Sequence, residues 1–217
     1  EESELAAAWA KLDNPEGVGV EKKVTFEREV SLVFARRPAG ETVFYPVVEN
    51  DHEHHILHTT RLPAPRHEEV QAEAERIAMQ IADAFQLEGL LTVEFFQMQG
   101  GQLFGNEMAP RPHNSGHATI EGAFCSQFEQ HIRAVLALPL GATTVPQPTL
   151  MVNLLGHLWE NGEPEWNAVL SEPQAKLHLY DKGEARTGRK MGHFTLRGRD
   201  AAELEATAQR ILKALPR

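Results

Sequence analysis

The chain has 217 residues, room for one large domain or two small ones, and 41% of them are hydrophobic, enough to bury a core. A net charge of −10 argues against a nucleic-acid backbone as main partner, and no apolar run approaches the roughly 18 residues of a membrane span. The single cysteine, Cys125, rules out an internal disulfide and fits a reducing, cytoplasmic setting.

The chain opens at Glu1 without a methionine, which raises the expectation of further residues upstream. Residues 3–12 read as a short helix ended by Asn14, Pro15, Glu16 and Gly17. From Val18 to Arg37 the pattern alternates: Val24, Phe26, Val30, Leu32 and Phe34 share one parity, and Glu27, Glu29 and Ser31 the other. A period of two predicts a long, half-buried strand. Pro38, Ala39 and Gly40 turn the chain into a second strand over 41–48, followed by a polar, His-rich stretch to His58. A helix is expected between Pro65 and Gln86, with Val70, Ala74, Ile77, Ile81 and Phe85 on one stripe.

Residues 90–110 read as a hairpin about Gly100 and Gly101. A two-residue turn there puts Glu94 directly opposite Glu107. The stretch from Asn106 to His117 (NEMAPRPHNSGH) then crowds an acid, amides, a hydroxyl, a cation and two imidazoles onto a loop stiffened by Pro110 and Pro112. An amphipathic helix over 121–137 is expected to turn Phe124, Phe128, Ile132 and Val135 inward, and residues 143–149 read as a linker. Strands at 149–156, 176–181 and 190–197 and a helix from Asp200 to Leu215 complete the chain.

Three groups could carry chemistry. Like charges opposed across a hairpin repel, so Glu94 and Glu107 call for compensation; Mg²⁺, held by one or two carboxylates plus substrate phosphates, would supply it, with Asn106 adding an amide oxygen. A solvated hairpin face is the bland alternative. Residues 176–199 hold seven of the 21 basic residues (Lys176, Lys182, Arg186, Arg189, Lys190, Arg197 and Arg199) against two acids, which suggests an anion site or a solvated loop. His52, His54, His55 and His58 raise a transition-metal hypothesis, although an extended segment sends its side chains to both faces. His113 and His117 are spaced like zinc ligands on a helix, but Pro112 and Gly116 deny the helix; acid–base or anion-holding roles suit them better.

The motifs VEFF, NEMAPRPHNSGHATIEGAFCSQFEQHIRAVLALPLG, EKKVTFEREVSLV, YPVVENDHEHHIL and YDKGEARTGRKMGHFTL together resemble the 5-(carboxyamino)imidazole ribonucleotide synthetase family of ATP-grasp enzymes, over nearly all of residues 18–197. The resemblance implies an α+β fold: an ATP-grasp large lobe, an antiparallel sheet with helices, over 25–145, then a small β-rich C-terminal domain over 146–217. Residues 1–24 would be the tail of the small lobe and the hinge, with the N-terminal nucleotide-fold domain and most of the small lobe lying outside this chain.

By the same resemblance Glu21, Lys22, Lys23 and Val24 meet the adenine, Glu29 the ATP ribose, and His52 the nucleotide. Glu94 and Glu107 would be Mg²⁺ ligands, with Asn106 beside them. Arg111, His113, Asn114 and Ser115 would surround bicarbonate and the aminoimidazole, with Arg111, His113 and Asn114 closest to the chemistry. Lys182, Arg189 and Lys190 would clamp the ribose phosphate. The implied partners are ATP, bicarbonate and 5-aminoimidazole ribonucleotide, with two Mg²⁺ ions, no organic prosthetic group, no nucleic acid and no membrane, in a cytoplasmic homodimer for which the 121–137 helix is one candidate surface. Two other readings compete: a different ATP-grasp ligase or carboxylase, such as a formate-dependent transformylase, and a non-catalytic nucleotide- or metal-binding module.

Overall fold

The computed structural model describes residues 2–12, 19 and 21–215. The first helix, α1 (Glu2–Lys11), leaves Leu5 and Trp9 exposed, and its expected stop at Asn14–Gly17 lies outside the described residues. The described core is one antiparallel sheet, strands β1 (Arg28–Arg36), β2 (Thr42–Phe44), β3 (Val48–Glu53), β4 (Ile56–Leu62), β5 (Gly89–Gln97), β6 (Leu103–Ala109), β7 (Thr149–Leu155), β8 (Ala175–Leu179) and β9 (Lys190–Arg197). They run in the order β6-β5-β1-β3-β4-β7-β9-β8, with β2 paired to β1. The sheet therefore continues across the expected boundary at residue 145, through the β4–β7 pairing.

β1 begins at Arg28, which leaves residues 21–27 of the expected strand outside it, and Val18 and Val20 lie outside the described residues. Its neighbour β5 ends at Gln97, opposite Arg28, and residues 21–26 have no strand to pair with among the described residues. Nor is β1 half exposed. Val30, Leu32 and Phe34 pack under helix α2 (Glu68–Ala84), while Val33 and Ala35 meet Ala134 of helix α4 (Gln127–Val135) on the other side. The alternation seen in the sequence is real, but both faces are covered. The expected strand over 41–48 divides into β2 and β3, because Tyr45 and Val47 turn inward between them.

α2 lies one notch away from its expected stripe. Val70, Ala74, Ala78 and Ala82 face the sheet, Ile77 and Ile81 flank it, and Phe85, at the helix C-cap, is exposed. Small residues at the contact let the helix sit close, and the larger side chains fill the margins. The expected 121–137 helix is two pieces, α3 (Thr119–Gly122) and α4, and its burial is inverted. Gln127, Gln130 and Ala134 are buried, whereas Phe124 is 70% and Ile132 53% exposed, with Phe128 and Val135 also on the outside. The buried glutamines are the reason: Gln130 exchanges two hydrogen bonds with Gly141, and Gln127 holds the preceding loop, so the polar face is the one the fold needs.

Beyond residue 148 a second core gathers Leu150, Val152 and Leu154 of β7, Phe194 and Leu196 of β9, and Leu204, Ala208 and Ile211 of helix α6 (Ala201–Ala214). The short helix α5 (Asn167–Leu170) closes it with Val169. Arg61 of β4 ties this unit to the rest through Glu205 at 2.5 Å.

Candidate active site

Residues paired across an antiparallel ladder share a face of the sheet. Glu29 pairs with Asn50 and Phe96, Ser31 with Glu94, and Glu94 with Glu107, so the polar parity of β1 builds one continuous polar surface with β3, β5 and β6. The Glu94–Glu107 pairing arises differently from the sequence expectation. Near the turn, Gln97 faces Leu103 and Phe95 faces Gly105, and Met98 bonds to Gln102 across a three-residue loop. A bulge between Glu94 and Phe95 then leaves Asn106 unpaired and shifts the register by one residue. Without that bulge Glu107 would oppose Val93 and face the α2 side, where Val93 is core. The bulge turns it to the site.

A cleft of about 620 Å³ follows, lined by Glu29, His52, His55, Ile56, Leu57, Glu94, Phe96, Asn106, Glu107, His113, Lys182, Gly188 and Lys190. Of the expected site residues, Glu29, His52, Glu94, Asn106, Glu107, His113, Lys182 and Lys190 line it. Glu29 is in direct contact with His52 through Oε2 and Nδ1. Burial, then the neighbouring Glu107, pushes the Glu94 carboxyl above the usual carboxylate range. Burial lowers the Lys190 ammonium, an effect that Glu94 opposes. His113 stands with Nδ1 2.8 Å from Ser115 Oγ and 3.7 Å from Glu94. Burial and the nearby Arg111 cation lower its pKa to about 4, so it is neutral at pH 7.

The loop after β6 is divided between cleft and support. Ser115 is fully buried and directed at His113 rather than at open space. Asn114 has a buried Nδ2 without a partner among the described residues, an unmet donor. Arg111 is exposed, and among the described residues its guanidinium bonds only to Pro112 O at 3.2 Å. Glu21, Lys22 and Lys23 are exposed, Val24 is half-buried, and none of the four lines the cleft.

The basic cluster separates by the geometry of the β8–β9 hairpin. Lys182 and Lys190 enter the cleft, and the Lys182 ammonium lies 5.0 Å from the Tyr180 ring centroid. Arg186 and Arg189 bond to Glu184 within the turn. Lys176, Arg197 and Arg199 lie at the opposite end, around a separate groove beside α6. Gly156 fixes the turn against β7: its N–H bonds to Arg189 O at 2.9 Å, and a Cβ there would stand 2.1 Å from Arg186 O.

The His-rich segment forms the β3–β4 hairpin. His54 and His55 take positive φ at its tip, His52 contacts Glu29, and His58 faces Glu53. No cluster of three His, Cys, Asp or Glu side chains able to hold a metal ion occurs among the described residues. Two carboxylates with oxygen neighbours do fit a hard divalent cation that keeps waters and substrate oxygens. Glu94 has no cationic partner within 4 Å among the described residues except an imidazole that is neutral at pH 7, and the carboxylate opposite it adds like charge.

Behind the loop lies a network that the sequence reading missed. Gln127 bonds to His113 and His117, the His117 and His193 rings are 5.0 Å apart, Tyr180 Oη meets His193 Nδ1 at 2.5 Å, and Glu121 takes bonds from Thr195 and lies 2.8 Å from His178. Burial holds His117 at about 4 and His193 at about 3, so both are neutral. These residues are scattered from 113 to 195 in sequence; the β8–β9 pairing sets His178 opposite His193, and contacts from the loop and from Glu121 and Gln127 complete the group.

Residues 1–128 match the family described as the ATP-grasp domain, and residues 149–207 that described as the phosphoribosylaminoimidazole carboxylase C-terminal domain. The chain is 42% identical over 199 residues to N5-carboxyaminoimidazole ribonucleotide synthase of Bacillus subtilis, covering 90% of the chain and 50% of that protein. The solved N5-carboxyaminoimidazole ribonucleotide synthetase of Thermus thermophilus superposes with a TM-score of 0.83 at 46% identity, over 91% of this chain and 53% of that one. The N5-carboxyaminoimidazole synthase of Aspergillus clavatus, solved with ADP and 5-aminoimidazole ribonucleotide, superposes with a TM-score of 0.88 at 32% identity, over 99% and 57%. The chain spans about half the length of the relatives it matches.

Proposed function

We propose, for a chain that belongs to the ATP-grasp family, that it supplies the metal, nucleotide and acceptor side of an ATP- and bicarbonate-dependent carboxylase of 5-aminoimidazole ribonucleotide. The observation that carries this reading is the Glu94–Glu107 pair, set opposite by the bulge and sharing one cleft with Glu29, His52, Lys182 and Lys190.

The resemblance gives each residue a task, and the cleft supports those of Glu29, His52, Glu94, Asn106, Glu107, His113, Lys182 and Lys190. Glu29, held by His52, accepts from the ribose hydroxyls of ATP. Glu94 and Glu107, with Asn106 beside them, hold Mg²⁺, which when bound screens the phosphate charge during phosphoryl transfer. Glu21, Lys22, Lys23 and Val24 form the hinge against the adenine. Bicarbonate oxygen takes the γ-phosphoryl group, giving carboxyphosphate and ADP. Arg111 orients the two anions with its planar fork, and the unmet Nδ2 of Asn114 donates to a carboxyl oxygen. His113, neutral and held by Ser115, acts as a hydrogen-bonding group rather than a cation. The amine of the aminoimidazole then attacks the carboxyl carbon and phosphate departs. Lys182 and Lys190, in the cleft, hold the ribose phosphate together with Arg189 of the turn between them, and Lys190 lies within electrostatic reach of Glu94.

The same reading makes the molecule a homodimer. The outer face of α4, with Phe128, Ile132 and Val135 beside Leu136 and Leu138, is a contiguous exposed apolar surface of the kind such contacts bury. The choice between carboxylase and formate-dependent ligase is settled by co-substrate. With the intact protein, ADP formation should require bicarbonate and the aminoimidazole nucleotide together; ADP formation on formate without bicarbonate would replace this reading with the other.

A further inference from the structure

Gln127 is fully buried, yet its side chain makes three hydrogen bonds into the loop that carries the site. Oε1 accepts from the His113 backbone N–H at 2.9 Å, and Nε2 donates to His113 O at 2.7 Å. The remaining amide hydrogen faces His117 Nδ1 at 2.9 Å. The orientation of the amide is forced, because His113 N–H needs an oxygen and His113 O needs a donor. One primary amide thus imitates a neighbouring strand for a residue just past β6, where the ladder has ended. It holds His113 extended, at φ −122° and ψ 155°, with the imidazole turned to Glu94 and the cleft.

The same amide decides the state of His117. With both Nε2 hydrogens assigned, His117 Nδ1 can only accept, so its proton lies on Nε2, which has no hydrogen-bond partner among the described residues. Two further features are cut to this amide. A Cβ on Gly116 would stand 2.2 Å from Gln127 Oε1 and 2.6 Å from Cδ, so only glycine lets the loop close over it. Thr119 accepts from the Gln127 backbone N–H at 2.9 Å and donates to Gly116 O at 2.6 Å, which fastens the loop's far end to the same residue.

We propose that Gln127 is a positioning residue for the carboxylation half of the reaction: it places His113 and the Arg111–Ser115 loop over the cleft and fixes His117 as an Nε2–H donor. This rests on the carboxylase reading above. The nucleotide side, Glu29 and His52, lies on β1 and β3 and is held without Gln127. Misplacing the loop should therefore harm acceptor use and leave ATP binding intact.

The test uses the intact protein with Gln127→Glu, Gln127→Ala, Gly116→Ala and the Gly116→Ala/Gln127→Ala double variant, each confirmed folded by thermal melting. Gln127→Glu can no longer donate, so ¹⁵N spectra of His117 should show the proton moved to Nδ1. kcat/KM for the aminoimidazole nucleotide should fall about 100-fold with KM for ATP within about twofold. ADP should be released in excess of carboxylated product, because carboxyphosphate then meets water. If Gln127→Glu fails to fold, the other variants decide: the double variant should be no worse than Gln127→Ala, since the collision partner is gone. Additive losses, an unmoved His117 proton, or wild-type coupling in a folded Gln127 variant would overturn the assignment. Failure of the wild-type protein to carboxylate would remove the carboxylase reading alone, and the His117 spectra would still judge Gln127.

Discussion

Single residues carry the charge logic of the cleft. Glu94 and Glu107 are opposed like charges that raise the cost of ionising Glu94. Replacing Glu94 by Gln removes that repulsion, so the ligand-free protein should keep or gain thermal stability, by up to about 1 kcal/mol, while Mg²⁺–ATP affinity falls on the order of tenfold or more. Calorimetric titration beside a melting curve reads both; loss of stability with unchanged affinity would show Glu94 to be a packing residue. The neutral imidazoles give a second expectation. His113, His117 and His193 are held near 4, 4 and 3, below the unfolded value of 6.5. Between those limits the unfolded chain binds more protons, so stability is full above about pH 6.5 and is lost as the pH falls toward 4, by up to about 1.4 kcal/mol per pH unit for each imidazole. Urea unfolding at pH 7 and pH 5 measures the slope, and His193→Gln should make it shallower. An unchanged slope would mean that His193 is not held neutral by the fold.

At the scale of elements, helix ends and strand irregularities set where the site groups stand. Asp200 caps α6 by accepting from Ala202 N at 2.8 Å and Glu203 N at 3.1 Å, and Asp200→Ala should cost about 1 kcal/mol in chemical denaturation without touching the cleft. A loss beyond about 2 kcal/mol would show that the cap also holds the β9–α6 corner. The hairpin shows how much of the site could be read in advance. Alternation placed β5 and β6, and a two-residue turn was enough to pair Glu94 with Glu107, but the turn has three residues and the bulge at Asn106 restores the pairing. Periodicity of two reports which residues share a face; it carries no signal for a residue left out of the ladder. In the same way, hydrophobic spacing found α4 and mistook its outward face for the inward one. The apolar stripe was visible, whereas the partners of Gln127 and Gln130 come from loops at 113–117 and 141 that the helix pattern does not contain. His113 and Lys190, which the motif resemblance singles out for the chemistry and the ribose phosphate, line the cleft, but the resemblance had no means of showing that Ser115 supports His113 or that the basic cluster opens to two ends of one hairpin.

For the molecule as a whole, one sheet joins the Glu94–Glu107 hairpin at one edge to the basic β8–β9 hairpin at the other, and the loop from Arg111 to His117 lies over the polar face between them. The outer face of α4 belongs to this scale too: if it forms the homodimer proposed above, Ile132→Glu with Leu136→Glu should halve the mass read by light scattering, and an unchanged mass would remove this face as a dimer contact. On the function proposed above, this arrangement passes phosphate to bicarbonate before carbon reaches the amine. That order is tested most directly by turning the intact protein over in ¹⁸O-bicarbonate with ATP and the aminoimidazole nucleotide, then reading inorganic phosphate by ³¹P NMR. One ¹⁸O per phosphate released is the expected result. Unlabelled phosphate accompanying carboxylated product would exclude carboxyphosphate, because the γ-phosphoryl group would then have gone to water.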